Sequence, residues 1–211
     1  MQIAILIFDK LTALDAIGPY EVLSRIPGHE LTFVSTEAGE KRTDTGRLGI
    51  SADATLEEVP EPDVLLIPGG EGNRPLLHDE EVLDWVRHVH ENSTWTTSVC
   101  TGSLVLGAAG VLEGKRATSH WCYREELRGY GAEPVAERWV EDGKIMTAAG
   151  VSAGIDMALA LTARLTHDDV ARAIQLGIEY DPDPPFDAGS PETAGENLVE
   201  LVRGLERVEA S

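Results

Sequence analysis

Three glycine-bearing turns hold the residue types in this chain that are capable of covalent or acid–base chemistry: Pro68-Gly69-Gly70-Glu71-Gly72-Asn73, Cys100-Thr101-Gly102-Ser103 and Gly150-Val151-Ser152-Ala153-Gly154. Each follows a predicted strand. In the second, Cys100 stands where Trp95-Thr96-Thr97-Ser98-Val99 ends and the helical segment Gly102-Ser103-Leu104-Val105-Leu106-Gly107 begins. Thr101 and Gly102 are small enough for a sharp turn there. A thiol at a helix amino terminus sees the positive end of the macrodipole, which favours the thiolate, the species that attacks carbon. The alternative for a cysteine is burial as a small hydrophobe, and Cys122, between Trp121 and Tyr123, fits that alternative.

A cysteine nucleophile needs a proton partner. Asp15, in Thr12-Ala13-Leu14-Asp15-Ala16-Ile17-Gly18-Pro19, stands among apolar and small residues just after the first apolar run. Desolvation there would raise its proton affinity. An ordinary helix N-cap is the competing reading of Asp15. His120 is the other candidate, set against a plain core histidine flanked by aromatic residues. His88 and His90 are two apart on a helical segment and point to different faces, which opposes a metal site.

The other two turns fare less well as reactive centres. Gly70-Glu71-Gly72 lacks the third glycine of a dinucleotide fingerprint and presents an acid to any phosphate, and Gly110-Val111-Leu112-Glu113-Gly114-Lys115-Arg116 fails the P-loop spacing. Gly150 to Gly154 matches the G-x-S-x-G nucleophile elbow, but the only later histidine, His167, lies at the far end of the helix that Ser152 itself would open. A helix of that length keeps its ends beyond hydrogen-bond reach. Close helix-to-strand packing by small residues is the better reading of this turn.

The elements that must position these residues follow from apolar runs alternating with helical segments, the signature of a parallel α/β sheet. Strands are predicted at Ile3–Phe8, Leu31–Ser35, Val64–Ile67, Trp95–Val99 and Ile145–Ala148. Helices are predicted at Glu80–Glu91, with Val82, Leu83, Val86 and Val89 on one side, and at Ile155–Leu165, apolar nearly all round and so buried against the sheet. In such a sheet the carboxyl ends of the strands face one crevice, where the three turns converge. The segment 181–191 is too rich in proline for helix or central strand, and a last helix is expected from Glu192 to Arg207.

Composition narrows the partners. With 37 Asp and Glu against 17 Lys and Arg the net charge is −20, and the only lysines are Lys10, Lys41, Lys115 and Lys144. Such a surface repels nucleic acid and anionic membrane, and it suits a high-salt cytosol as well as an acidic mesophilic protein. No apolar run spans a membrane, the amino terminus reads as a core strand and not a signal peptide, and two cysteines suggest reduced thiols in the cytoplasm.

Six segments in order resemble the ThiJ/PfpI superfamily, which has the class I glutamine amidotransferase-like fold, and within it the isocyanide hydratase branch. They are Leu14–Pro19, Leu66–Gly70, Val99–Gly102, Arg116–Trp121, Thr147–Asp156 and Glu179–Pro182. The resemblance implies a flavodoxin-like, mostly parallel sheet sandwiched by helices, with a strand–Cys–helix elbow. It implies a catalytic domain over residues 1–191 and a C-terminal helix, 192–211, packed on the same domain. Where proteases and deglycases of the superfamily carry Glu, and some of them His, this chain has Asp15 and Thr101, the isocyanide hydratase pattern. AraC-type regulators share some of these segments, but they need a helix-turn-helix after the domain and only residues 192–211 follow Pro191.

The activity so implied is hydration of an isocyanide to an N-formamide, with Cys100 as nucleophile, Asp15 as general acid and base, and Thr101 beside them. Backbone amides at Gly70 and Thr101 would hold developing charge, with His120, Gly150 and Val151 as further site residues. No metal or organic cofactor is implied. The partners expected are a small-molecule substrate and a second copy of the chain in a homodimer. Two rivals stand beside it: another thiol-dependent enzyme on the same scaffold, of glyoxalase or amide-hydrolase type, and a non-catalytic sensor in which Cys100 is oxidised.

Overall fold

A computed structural model describes residues 1–209. The strands in chain order are β1 (Gln2–Leu6), β2 (Glu30–Ser35), β3 (Gly39–Arg42), β4 (Gly49–Ala52), β5 (Ala54–Thr55), β6 (Val64–Ile67), β7 (Trp95–Val99), β8 (Arg116–Ala117), β9 (Glu133–Pro134), β10 (Trp139–Asp142) and β11 (Ile145–Ala148). Between them lie α1 (Ala13–Leu23), α2 (Asn73–Leu76), α3 (Glu80–Asn92), α4 (Gly102–Ala108), α5 (Ala153–Leu165) and α6 (Asp168–Gly177).

Seven strands form one sheet in the order β10-β11-β7-β6-β1-β2-β5. All neighbours run parallel except the edge pair β10–β11. The central strands are buried on both faces, as continuous apolar runs such as Val64-Leu65-Leu66-Ile67 require. One helical layer holds α1, α5 and α6, and the other holds α2, α3 and α4. The fold is therefore the parallel-sheet α/β class that the alternation of runs predicts, in the flavodoxin-like sandwich that the resemblance implies.

Local chemistry explains why the helices begin where they do. Asp79 caps α3 by accepting from the amides of Glu81 and Val82 at 3.1 and 3.4 Å. Val82, Leu83, Trp85, Val86 and Val89 of that helix are buried, and the Trp85 indole donates to the Val59 carbonyl at 3.0 Å. In α5 the buried residues are Ala153, Gly154, Met157, Ala158, Leu161 and Thr162, so Leu159 and Leu165 are less covered than an all-round apolar helix implies.

The chain divides into two compact units, one spanning Met1–Ile178 and the other beginning at Glu179. The second unit opens with the proline-bearing segment, which has no regular structure up to Ser190. The single helix expected from Glu192 is instead two, α7 (Pro191–Ala194) and α8 (Glu196–Glu209). Gly195 between them has φ +81, a left-handed conformation that interrupts the helical hydrogen-bond ladder. Of the expected helix 192–211, positions 210 and 211 lie outside the described residues.

Candidate active site

Parallel pairing of β1, β6, β7 and β11 brings their carboxyl ends to one edge of the sheet, and the three glycine-bearing turns gather there. Cys100 occupies the turn after β7 with φ +57, a left-handed conformation unusual for a residue with a side chain. The turn is held from both sides of its peptide. The Cys100 amide donates to the Ala148 and Ala149 carbonyls at 3.1 and 3.0 Å. Its carbonyl accepts from the hydroxyls of Ser103 at 3.1 Å and Ser119 at 3.0 Å. Strain at a single residue persists where the surroundings over-determine it, and here four bonds do so.

Asp15 sits in the first turn of α1, fully buried. Oδ2 accepts from the Gly69 amide at 2.9 Å, and Oδ1 has no hydrogen-bond partner of ordinary geometry. The carboxyl and the Cys100 thiol engage one another. Burial pushes Asp15 up to about 7, against the pull of the Gly69 amide and the thiol, while the Asp44 charge adds to the rise. The thiol is pushed well up too, first by burial and then by the Asp15 charge, with the Thr101 and Val151 amides pulling it down. At the start of α4 burial of the thiol therefore opposes the pull of the neighbouring amides.

Gly69 and Gly70 are glycines for reasons of space. A Cβ on Gly69 would lie 2.6 Å from the Thr101 amide nitrogen and 2.9 Å from Asp15 Oδ2. Gly70, at φ +127, would press a Cβ to 2.5 Å from both the Lys10 carbonyl oxygen and the Thr12 nitrogen. The close approach lets the two amides reach the site: Gly69 N–H binds Asp15, and Gly70 N–H donates to Thr101 Oγ1 at 3.1 Å. The Gly70 amide, expected to face developing charge, is thus engaged by the Thr101 hydroxyl. The Thr101 carbonyl accepts from Asn73 Nδ2 at 2.8 Å. Asn73 is 1% exposed, and nothing in its local sequence marks it beyond membership of the first turn.

The third turn contributes through its backbone. Val151 has φ +36, and its amide faces the Cys100 sulfur. Ser152, the serine of the G-x-S-x-G pattern, accepts from Arg138 Nη2 at 3.3 Å, and Arg138 also pairs with Asp156 one turn along α5. It is a tether for the start of α5. His120 lies across this turn: a Cβ on Gly150 would meet its Cδ2 at 2.6 Å, and its ring packs near Trp121 and Tyr123 with centroids 5.7 and 5.9 Å away. Cys122 is half-buried beside them, and neither cysteine is in a disulfide. His88 faces Glu61 and His90 binds Thr96, so the two histidines diverge. Among the described residues no three metal-ligating side chains converge.

A mostly parallel sheet with a cysteine in a strained strand-to-helix turn and a buried acid beside it defines a thiol-centred α/β class. Residues 1–164 match the DJ-1/PfpI family, and the chain belongs to it. It is 45% identical over 203 residues to an isonitrile hydratase of Pseudomonas putida, covering 96% of this chain and 89% of that one. It is 31% identical over 147 residues to the deglycase PfpI of Pyrococcus furiosus, 68% of this chain and 86% of that one. A crystal structure of a ThiJ/PfpI family protein from Pseudomonas syringae superposes with a TM-score of 0.95 at 38% identity, covering 99% of this chain and 87% of that one.

Proposed function

We propose that this chain is a cysteine-dependent enzyme that hydrates an isocyanide, R–N≡C, to the N-formamide. The observation that carries the reading is the buried pair Cys100–Asp15, with one carboxyl oxygen fixed by Gly69 and the other without a fixed donor. The 45% identity to an isonitrile hydratase supports the substrate class.

The geometry suits two half-reactions. As the sulfur adds to the terminal carbon of the isocyanide, the thiol proton passes to Asp15, through Oδ1 because Oδ2 is held by an N–H. Asp15 then delivers that proton to the same carbon, giving the thioimidate R–N=CH–S–Cys100. Water adds to this carbon with Asp15 as base, and nitrogen takes up a proton. Collapse of the adduct expels the sulfur, which recovers its proton, and releases R–NH–CHO. The amides of Thr101 and Val151 flank the sulfur and stabilise negative charge that collects there. The Thr101 hydroxyl, oriented by the Gly70 amide, lines the same edge. These steps call on no metal or organic cofactor, since the thiol is the nucleophile and the substrate brings its own electrophilic carbon.

The reading extends to a small-molecule substrate met in a reducing cytoplasm and to a homodimer, both in keeping with the family. The test is formamide production from a simple isocyanide. Wild type and Cys122→Ser are expected to turn over, and Cys100→Ala to be inactive yet folded. Turnover that survives Cys100→Ala, or wild type that makes no formamide but converts a glycated or α-oxoaldehyde substrate, would replace this reading.

A further inference from the structure

The turn between β3 and β4 is fastened to the segment that joins β1 to α1. Lys10 N–H donates to the Arg42 carbonyl at 2.6 Å and Asp44 N–H to the Leu11 carbonyl at 2.9 Å. Arg42 N–H donates to Asp9 Oδ1 at 2.8 Å, and Leu11 and Thr43 form an isolated bridge. This stitching carries the Asp44 carboxylate to the start of α1, where its Oδ2 accepts from the Thr12 hydroxyl at 3.0 Å.

Thr12 is the N-cap of α1, a residue type and position that ordinarily turns its hydroxyl inward to accept from a helix amide. It makes no such capping bond. Its proton goes outward to Asp44, while its amide donates to the Gly69 carbonyl at 2.9 Å and the Gly69 amide binds Asp15. Asp44, Thr12, Gly69 and Asp15 are thus one hydrogen-bonded cluster with an exposed carboxylate at one end and a buried one at the other.

We propose that Asp44 is a positioning residue for the reaction: its negative charge, held at the start of α1 by Thr12, draws the proton shared by Cys100 and Asp15 toward the carboxyl side and so frees the sulfur as the nucleophile. The proposal rests on the reading of Cys100 and Asp15 as a proton-sharing pair. The physical reason is that Asp44 is bound to the N-cap of the helix whose first turn carries Asp15, so a second negative charge there disfavours ionised Asp15. Asp44 is accordingly among the influences that raise Asp15. Of the other charged or titratable groups around the cluster, Lys10 is matched by Glu71 at 3.6 Å and Asp9 is tied to the Arg42 amide. Cys100 is the partner in the pair, and His120 lies across Gly150 on the far turn. Because Asp44 is exposed, salt weakens its effect.

The experiment follows the infrared carbonyl band of protonated Asp15, assigned by subtraction of Asp15→Asn, and the rate of Cys100 alkylation by iodoacetamide in a Cys122→Ser background. Asp44→Asn retains an acceptor for Thr12 but removes the charge. At low ionic strength it is expected to move the midpoint of the Asp15 band to lower pH and to slow alkylation near neutral pH by ~2–4-fold, the size of an exposed charge interaction. Asp44→Glu is expected to restore both, and molar KCl to bring wild type toward Asp44→Asn. Superimposable band midpoints for wild type and Asp44→Asn would overturn the proposal, as would a shift that Asp44→Glu fails to reverse. Neither readout uses isocyanide turnover, so a shifted midpoint in a protein that makes no formamide would refute the proposed reaction and leave this assignment standing.

Discussion

The Gly69 amide donates to Asp15 Oδ2 at 2.9 Å, tying the carboxyl that α1 carries to the turn that follows β6. The same turn gives its next amide to the Thr101 hydroxyl, so one pair of successive N–H groups orients both side chains beside Cys100. The first glycine turn is therefore a frame for the second.

Asp15→Asn separates chemistry from stability. An amide accepts from Gly69 as the carboxylate does but cannot carry a proton, and loss of general acid–base catalysis lowers turnover by ~10²–10⁴-fold. The linkage runs the other way from most acids. Asp15 is raised from 3.8 to about 7, so the folded state binds its proton more tightly than the unfolded chain. The stability this contributes is complete below the unfolded value and is lost as pH rises through the folded one. The ceiling is on the order of 4 kcal/mol. Above neutral pH, then, Asp15→Asn is expected to melt no lower than wild type while being nearly inactive. Calorimetry and a turnover assay on one preparation check both, and near-normal turnover would remove Asp15 from the chemistry.

Gly69→Ala tests the frame directly. Its Cβ would meet the Thr101 nitrogen, Thr101 Oγ1 and Asp15 Oδ2 at 2.6, 2.7 and 2.9 Å, distances that neighbouring backbone must yield to. Activity is expected to fall by more than about 100-fold, since small displacements of reacting groups have effects of that order. Chemical denaturation shows whether the fold survives. Retention of wild-type kcat in a folded Gly69→Ala would mean that the turn does not orient the pair.

The strands that carry the site were legible because they are largely buried: the limits of β6, β7 and β11 coincide with the strands read from sequence, although Thr96, Thr97 and Ser98 make β7 a buried strand with polar side chains. Asp15 and Cys100 were legible because a polar group amid apolar neighbours and a cysteine between strand and helix are both anomalous. The β3–β4 hairpin was not, since Gly39-Glu40-Lys41-Arg42 has no apolar alternation to mark a strand. Asp44, in its turn, joins the site only through tertiary hydrogen bonds. Asn73 and Ser119 escaped for a related reason: their side chains bind backbone carbonyls far along the chain, and no local spacing encodes that. The dipole argument for Cys100 left out burial, which pushes the thiol up, because sequence does not report how completely a thiol is desolvated.

Asn73→Ala measures one of those hidden contacts. Removing the side chain takes one of two donors from the Thr101 carbonyl, which keeps the Leu104 amide at 3.0 Å, at a cost of ~0.5–1.5 kcal/mol. Because Thr101 is the N-cap of α4 and follows Cys100 directly, kcat is expected to fall with KM little changed. Steady-state kinetics with a denaturation curve tests this. An unaltered kcat would confine Asn73 to a structural role.

The charge of −20 makes a prediction about salt whose sign comes from the imbalance of acids and bases. Arginines are already matched in pairs such as Arg74–Glu126 and Arg164–Glu141, and in the Arg87 fork to Glu80 and Asp84. Screening weakens those contacts, but exposed pairs contribute only ~0–1 kcal/mol each. The remaining acids, 37 against 17 bases overall, repel one another, and that repulsion is what added salt relieves. Debye screening at ~0.15 M already shortens the range to about 8 Å, so a protein merely tolerant of its charge gains little beyond that point. A surface adapted to a high-salt cytosol is expected to keep gaining, with the melting temperature climbing from low to molar KCl. Thermal melts across that series decide between them, and a melting temperature flat above physiological salt would make this an acidic protein of ordinary surroundings.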